Sequence, residues 1–365
     1  GNPPDVINQD KPILADWASR GALQSLESIA TPEEIRALPA WFFPAADKLS
    51  QYQGQYYAFC NGLDIRALYY NQTWLQREQL AVPQTIAELD ALAEQVAPPH
   101  SANLERVGFL PDARRLWSWG PVFGGGFEVN SAGEAQINTP ENAAALTWMM
   151  HYRERYGGKN LATFRQGDQS LPGKVFPLLT NRYAMIMDGQ WRVRDIRAYQ
   201  RRQREQQQAV TEFGVCPLPP PPQGHRDAGW VNGNFFVIPR GAKSPRGAWE
   251  FMKFWAGIGD HAAAAAETCA AGGWIPVSQQ VVNQPAFQRY LQQEPLFAEF
   301  VRLAGSEHQL PVPQVRGAAF FRREVESLGE IALYHDQAPA AATLLQRAEE
   351  NIQAHLQRQA PAGAP

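Results

Sequence analysis

The chain has 365 residues, 44% of them hydrophobic and 19% charged, with 33 Lys and Arg against 36 Asp and Glu. That length exceeds what one hydrophobic core usually serves, so two domains are expected, and the apolar fraction excludes disorder over most of the chain. A net charge of −3 gives no footprint for nucleic acid and no polybasic membrane anchor, and no apolar run is long enough for a spanning helix.

Strand-like and helix-like segments alternate along the chain. Residues 5–8 read as a short strand, and residues 12–20 as a helical turn closed by Gly21. Thr31-Pro32-Glu33-Glu34 opens a helix, with Thr31 as cap, Pro32 at the first position and Glu34 reaching back. Residues 56–59 and 67–70 read as two aromatic-rich strands. Thr85-Ile86-Ala87-Glu88 is a second capping box, and residues 107–110 form a strand ended by Pro111. Residues 127–129 and 135–137 flank a hairpin loop, and Thr139-Pro140 starts a helix to Tyr156. Strands follow at 183–187, 213–218 and 235–238, with helices after Gly189 and Ser244 and a mostly helical remainder from Ala286. Strands alternating with helices predict α/β layers.

Known chemistry-bearing patterns are absent. The sequence holds no phosphate-cradling GxxxxGK[ST], no HExxH, no GxSxG and no CxxC. Cys60, Cys216 and Cys269 stand far apart, and an odd count leaves at least one free thiol. No metal or cofactor is expected, and nothing marks an enzyme. Instead, aromatics sit beside glycine and short polar residues, as in Trp117-Ser118-Trp119-Gly120, Gly189-Gln190-Trp191, Gly229-Trp230 and Gly272-Gly273-Trp274. An aromatic face covers the C–H face of a sugar while nearby polar groups meet its hydroxyls.

Six segments, in order, resemble one family. They are Pro4-Asp5-Val6-Ile7, Leu68-Tyr69-Tyr70-Asn71, Val82-Pro83-Gln84-Thr85, Ala184-Met185-Ile186-Met187-Asp188-Gly189-Gln190-Trp191, Phe236-Val237-Ile238-Pro239 with Ala248-Trp249-Glu250-Phe251, and Gly272-Gly273-Trp274-Ile275-Pro276-Val277. The chain resembles extracellular solute-binding proteins of family 1, the maltose-binding-protein-like capture subunits of ABC importers. The resemblance implies a two-lobe periplasmic-binding-protein-like α/β fold (type II) with ligand held between lobes. It assigns residues 1–107 and 238–276 to the first lobe, and residues 108–237 and 277–365 to the second. Members usually carry a first strand and helix ahead of the Pro4-Asp5-Val6-Ile7 strand, so that region is expected to be missing, leaving a sheet edge unpaired. No leader opens the chain, which leaves export and tethering undecided.

The resemblance also implies site residues. Trp191 matches a ring that stacks on sugar, and Asp64 an acidic ligand residue. Gln9, Asp10 and Lys11 match a first-lobe loop that contacts sugar, with Asn61 in the loop before Asp64. Trp117 or Trp119 falls where the family has a cleft aromatic. Trp230, Asn232 and Trp274 lie near chain crossings, where each lines the cleft or packs the hinge. Phe320 lies near another stacking position but also fits a plain helix core with Phe321. Arg114, Arg115 and Arg316 fit an anionic ligand or a solvated surface. The implied function is extracytoplasmic capture of a carbohydrate by hinge closure. The protein is then periplasmic or lipid-anchored at the surface, a monomer, with ABC permease subunits as partners. The alternatives are the same fold binding a non-sugar such as a glycerophosphate compound, or a carbohydrate-active enzyme.

Overall fold

The computed structural model describes residues 2–10, 13–101, 103–171 and 175–359. Its strands, in chain order, are β1 (Ile7–Gln9), β2 (Gln51–Tyr52), β3 (Gln55–Tyr56), β4 (Ala58–Asn71), β5 (Glu128–Val129), β6 (Ala135–Gln136), β7 (Met185–Gly189), β8 (Phe213–Cys216), β9 (Gly229–Val237) and β10 (Gln309–Leu310). β2–β3 and β5–β6 are small two-stranded sheets; the other six form one sheet ordered β1-β9-β4-β7, with β10 on β9 and β8 on β4. Helices fill the intervals, and among the described residues none is long and apolar enough to cross a membrane.

Two strands run through both halves of this sheet. Residues 58–65 of β4 pair with β9, whereas residues 66–70 pair with β7 and residues 68–71 with β8. β9 behaves likewise, pairing β1 through residues 235–237 and β10 through residues 229–230. The sequence suggests two short strands where β4 is continuous. The intervening Asn61-Gly62-Leu63-Asp64 looks like a turn, but the register shift between Cys60 and Gly62 makes it a bulge that stays in the ladder. Conversely, the strand expected at 107–110 is reduced to an isolated bridge, Val107 to Tyr183. The guanidinium of Arg165 donates to the carbonyls of Leu110 and Pro111, both at 3.0 Å, in place of a neighbouring strand.

Each half has its own aromatic packing. Phe59 meets Phe42 and Trp249 in one, with ring centroids 5.4 and 5.1 Å apart. In the other, Trp119 meets Trp148 at 4.5 Å and Phe109 at 5.9 Å. Asp90, on the helix Ile86–Val96, accepts from the Trp148 indole and the Tyr152 hydroxyl of the helix Pro140–Tyr156. A segment expected to belong to the first lobe is thereby packed on a helix expected in the second. Cys60, Cys216 and Cys269 are buried and unpaired, and burial pushes each thiol up to about 12.

The predicted capping box at Thr31 forms, with Thr31 Oγ1 accepting from Glu34 N–H and the Glu34 carboxylate accepting from Thr31 N–H. Glu34 also binds the helix Pro245–Ala256. Its carboxylate accepts from Arg246, from the Trp249 indole at 3.0 Å and from Lys253 at 2.8 Å. The hydrogen bond from Arg246 is the largest cause holding this carboxyl far below its ordinary value of 4.5, against the opposing effect of burial. A depressed carboxyl stabilises the fold above its unfolded pKa, and that contribution is lost as pH falls toward the folded value. Glu34→Gln should therefore cost about 1.5–3 kcal/mol at neutral pH, the range for hydrogen bonds to charged groups. The deficit, read by urea unfolding, should shrink as pH drops below about 4; a deficit independent of pH would show that the charge is not what matters.

Candidate functional site

The site lies where β4 and β9 cross between the two halves. Asp64 pairs in register with Asn232, and continuing that register sets Arg66 opposite Trp230. On the other edge of β4, Arg66 pairs with Gly189 of β7. Because alternate strand residues share a face, Asp64, Arg66, Trp230 and Asn232 point the same way. Arg66 is almost fully buried, and its guanidinium sits between two indoles, 4.5 Å from the Trp191 ring centre and 5.4 Å from that of Trp230. Both oxygens of Asp64 accept from the Arg66 guanidinium. The Arg66 Nε and the Trp230 Nε1 are buried without an acceptor among the described residues.

Trp191 follows β7 and precedes the helix Arg192–Glu205. It is 42% exposed, one of few large apolar side chains left so open. Its ring folds back over Gly189, where an added Cβ would lie 2.3 Å from the indole and 2.8 Å from Arg66 Nη1. The preceding Gln190 is buried and fastens this turn to β4: its side-chain nitrogen donates to Leu63 O at 3.0 Å, and its oxygen accepts from Ile65 N–H at 3.3 Å.

Trp191 opens onto a cavity of about 880 Å³. Its walls are Asp112 to Arg115, the helix Gly158–Gln169 through Arg165 and Asp168, the end of β7 through Asp188, and Glu330 and Tyr334 of the helix Ala318–Tyr334. Burial raises the Asp112 carboxyl, but the charges of Arg165, Arg115 and Arg114 outweigh it and hold the group well below its usual range. Asp112 pairs with Arg114 at 3.2 Å and stands 3.9 Å from Arg115. Burial, followed by the Arg66 charge, lowers Arg115 to about 10. Burial raises the Glu330 carboxyl, with the Asp112 charge adding to the effect. Among the described residues no group of His, Cys, Asp and Glu is arranged to hold a metal.

The structure brings several expected residues together. Asn232 donates from its side chain to Asp10 O at 3.2 Å, and Asp10 N–H donates to the Gln9 side chain at 2.7 Å. Asn61, at the bulge, donates to the Asn8 side chain at 3.2 Å. Trp274 lies half-buried over Gly62, so close that a Cβ there would be 3.0 Å from its ring. Lys11 lies outside the described residues.

Others are placed elsewhere. Trp117 and Trp119 belong to the helix Leu116–Val122, which is buried throughout. Trp117 packs on Phe127 and Phe321 and donates to Arg322 O at 3.3 Å, and Trp119 fills the aromatic packing described above. Phe320 stacks on His355 with centroids 4.1 Å apart. The Arg316 guanidinium donates to the carbonyls of Gln359 and Ser19, tying the last helix to the first. None of these four lines the cavity; of the expected residues only Trp191, Arg114 and Arg115 do. Arg66, Asp112, Arg165, Asp188 and Glu330 are additions that the sequence did not single out. Arg66 was the one within reach, because it stands two residues after Asp64 and shares its face once the strand is read as continuous.

Gly189→Ala should destabilise the protein by about 1–3 kcal/mol, the usual cost of overpacking, and displace the Trp191 ring. Unchanged urea unfolding together with an unchanged near-UV spectrum would mean that the ring is not held over residue 189.

Comparison with known proteins agrees in fold. Residues 1–295 match the family described as bacterial extracellular solute-binding protein. A maltotriose-binding protein of Pyrococcus abyssi (strain GE5 / Orsay) is 21% identical over 327 residues, which cover 88% of this chain and 64% of that protein; the chain thus spans under two thirds of that relative. The structure of CpMnBP1 with mannobiose bound superposes with a TM-score of 0.76 at 25% identity, covering 96% of this chain and 84% of the other. The sugar-binding protein MalE of Xanthomonas citri superposes with a TM-score of 0.75 at 17% identity, covering 98% and 85%.

Proposed function

Because the chain belongs to the bacterial extracellular solute-binding proteins, we propose that it captures an oligosaccharide outside the cytoplasmic membrane and delivers it unchanged to an ABC importer. The observation that carries this reading is Trp191: a large ring left 42% exposed, backed by Gly189 and Arg66, at the mouth of a cavity of about 880 Å³. Flat rings cover the C–H faces of sugars, and cavities of this size enclose small ligands. The carboxylates and guanidiniums around it supply acceptors and donors for hydroxyls. That CpMnBP1 holds mannobiose and the Pyrococcus relative is a maltotriose-binding protein supports a carbohydrate of two or three units.

The two strands common to both halves of the sheet supply the joint. We place the hinge in β4 at residues 64–66 and in β9 at residues 230–232, where each strand changes partners. On this reading the first boundary between lobes lies near residue 65, whereas the sequence motifs suggest residue 107. Closure is then driven by ligand contacts that exist only when both lobes engage. Gln9 and Asp10, with Asn61 and Trp274, face the ligand from the first lobe; Trp191 and the cavity behind it face it from the second. The permease is the receiving partner, and the protein acts as a monomer.

Thermal shift against mannobiose, mannotriose, maltotriose and their monosaccharides should give a raised melting point with at least one oligosaccharide, since a ligand bound only by the folded state stabilises it by mass action. Trp191→Ala should weaken that binding by about 1–3 kcal/mol in calorimetry; an unchanged affinity removes Trp191 from the site. Hydrolysis would require two carboxylates flanking the scissile bond, and Asp112 and Glu330 share this cavity. Chromatography after prolonged incubation should recover the oligosaccharide intact.

A further inference from the structure

The charges around Trp230 do not balance, and the imbalance bears on the ligand. Three guanidiniums surround its ring: Arg66 at 5.4 Å, Arg322 at 5.5 Å and Arg115 at 5.7 Å. Two have carboxylates of their own, Arg66 in Asp64 and Arg322 in Glu326 at 2.7 Å. Arg115 does not. Its nearest carboxylate, Asp112, is 3.9 Å away and already takes Arg114 through both its oxygens.

The Arg115 guanidinium makes no hydrogen bond among the described residues, although only 17% of the side chain is exposed. A guanidinium carries five N–H donors, and those of Arg115 have only the cavity to turn to. The Arg66 charge also acts on Arg115. Two further donors beside it, Arg66 Nε and Trp230 Nε1, are buried and unsatisfied. Arg115 lines the same cavity as Trp191. A guanidinium with no hydrogen bond and only a distant, shared counter-ion therefore stands in the wall of the proposed binding cavity, with two unsatisfied donors buried behind it.

We propose that the ligand is an acidic oligosaccharide whose uronate carboxylate is taken by Arg115 while a sugar ring lies on Trp191. This rests on the sugar-binding reading above and narrows it from carbohydrates in general to those bearing a carboxylate. A planar carboxylate accepts two parallel N–H bonds from a guanidinium, which a hydroxyl does not reproduce. The carboxylate also supplies the negative charge that Asp112, shared among Arg114, Arg115 and Arg165, cannot provide to each.

The test is calorimetry on the full chain. Mannobiose, mannotriose and maltotriose are compared with the di- and trisaccharides of mannuronate, glucuronate and galacturonate, at low and high salt. At low salt an acidic sugar should bind at least about tenfold more tightly than every neutral sugar of its length, and the advantage should narrow as salt rises. Arg115→Gln should collapse the acidic-to-neutral affinity ratio toward one, and Arg115→Lys should restore part of it. A role confined to packing on Trp230 would instead lower the melting point of Arg115→Gln and leave the ratio unchanged. Neutral sugars binding as tightly as acidic ones, or a ratio unmoved in Arg115→Gln, overturns this inference and leaves the proposed function standing. Failure of both classes to bind overturns the sugar-binding reading and this inference with it.

Discussion

Backbone continuity through β4 and β9 is the constraint on which the molecule's organisation rests. Both strands are paired from end to end apart from the bulge at Asn61, so neither half of the sheet can be built without the other strand's far end being placed as well. Strand geometry then does the positioning. With side chains alternating faces, the register that aligns Asp64 with Asn232 also delivers Arg66 to Trp230 and Gly189. A one-residue slip would turn all of them to the opposite face. The bulge at Asn61 adds a residue without losing the ladder, and so shifts by one which residues of β4 face each side before and after it.

Charge is handled differently on the two sides of the crossing. At Glu34 one carboxylate collects four side-chain or main-chain donors, and the result is a closed, structural joint between helices. Around Trp230 the count is reversed: guanidiniums outnumber the carboxylates in contact with them, and indole faces take up part of the difference. Stacking on an indole compensates a cation only partially. The first arrangement is saturated, the second is not, and open valence of this kind is what a ligand can use.

Local chemistry made the helix starts legible. Thr31 and Thr139 cap as their sequences suggest, and Thr85 does too, although Glu88 reaches Gln84 N–H in place of the cap residue's own. The fold class and the family were legible from ordered motifs spread along the chain. The site was legible only in part, because glycine beside tryptophan has two meanings. At Gly189 the missing Cβ leaves room for the exposed ring of Trp191. At Gly120 it admits Phe127 and Asn142, at 2.5 and 2.8 Å from where a Cβ would stand, and the neighbouring Trp119 is sealed in the interior. Sequence shows the pair of residues but not which neighbour needs the space. Arg66 was hidden for another reason: the turn-like residues before it disguised the strand that aims it.

The three buried thiols carry a consequence for the life of the chain outside the cytoplasm. Extracytoplasmic surroundings are oxidising, and an accessible thiolate there is converted to a disulfide or a sulfenic acid. Cys60, Cys216 and Cys269 have no partner, and the fold withholds both access and ionisation from them. Protection of the sulfur is therefore a property of the native state alone. The hazard is confined to the interval between synthesis and folding, which sets a premium on how quickly the chain closes over these residues once it has left the reducing cytoplasm.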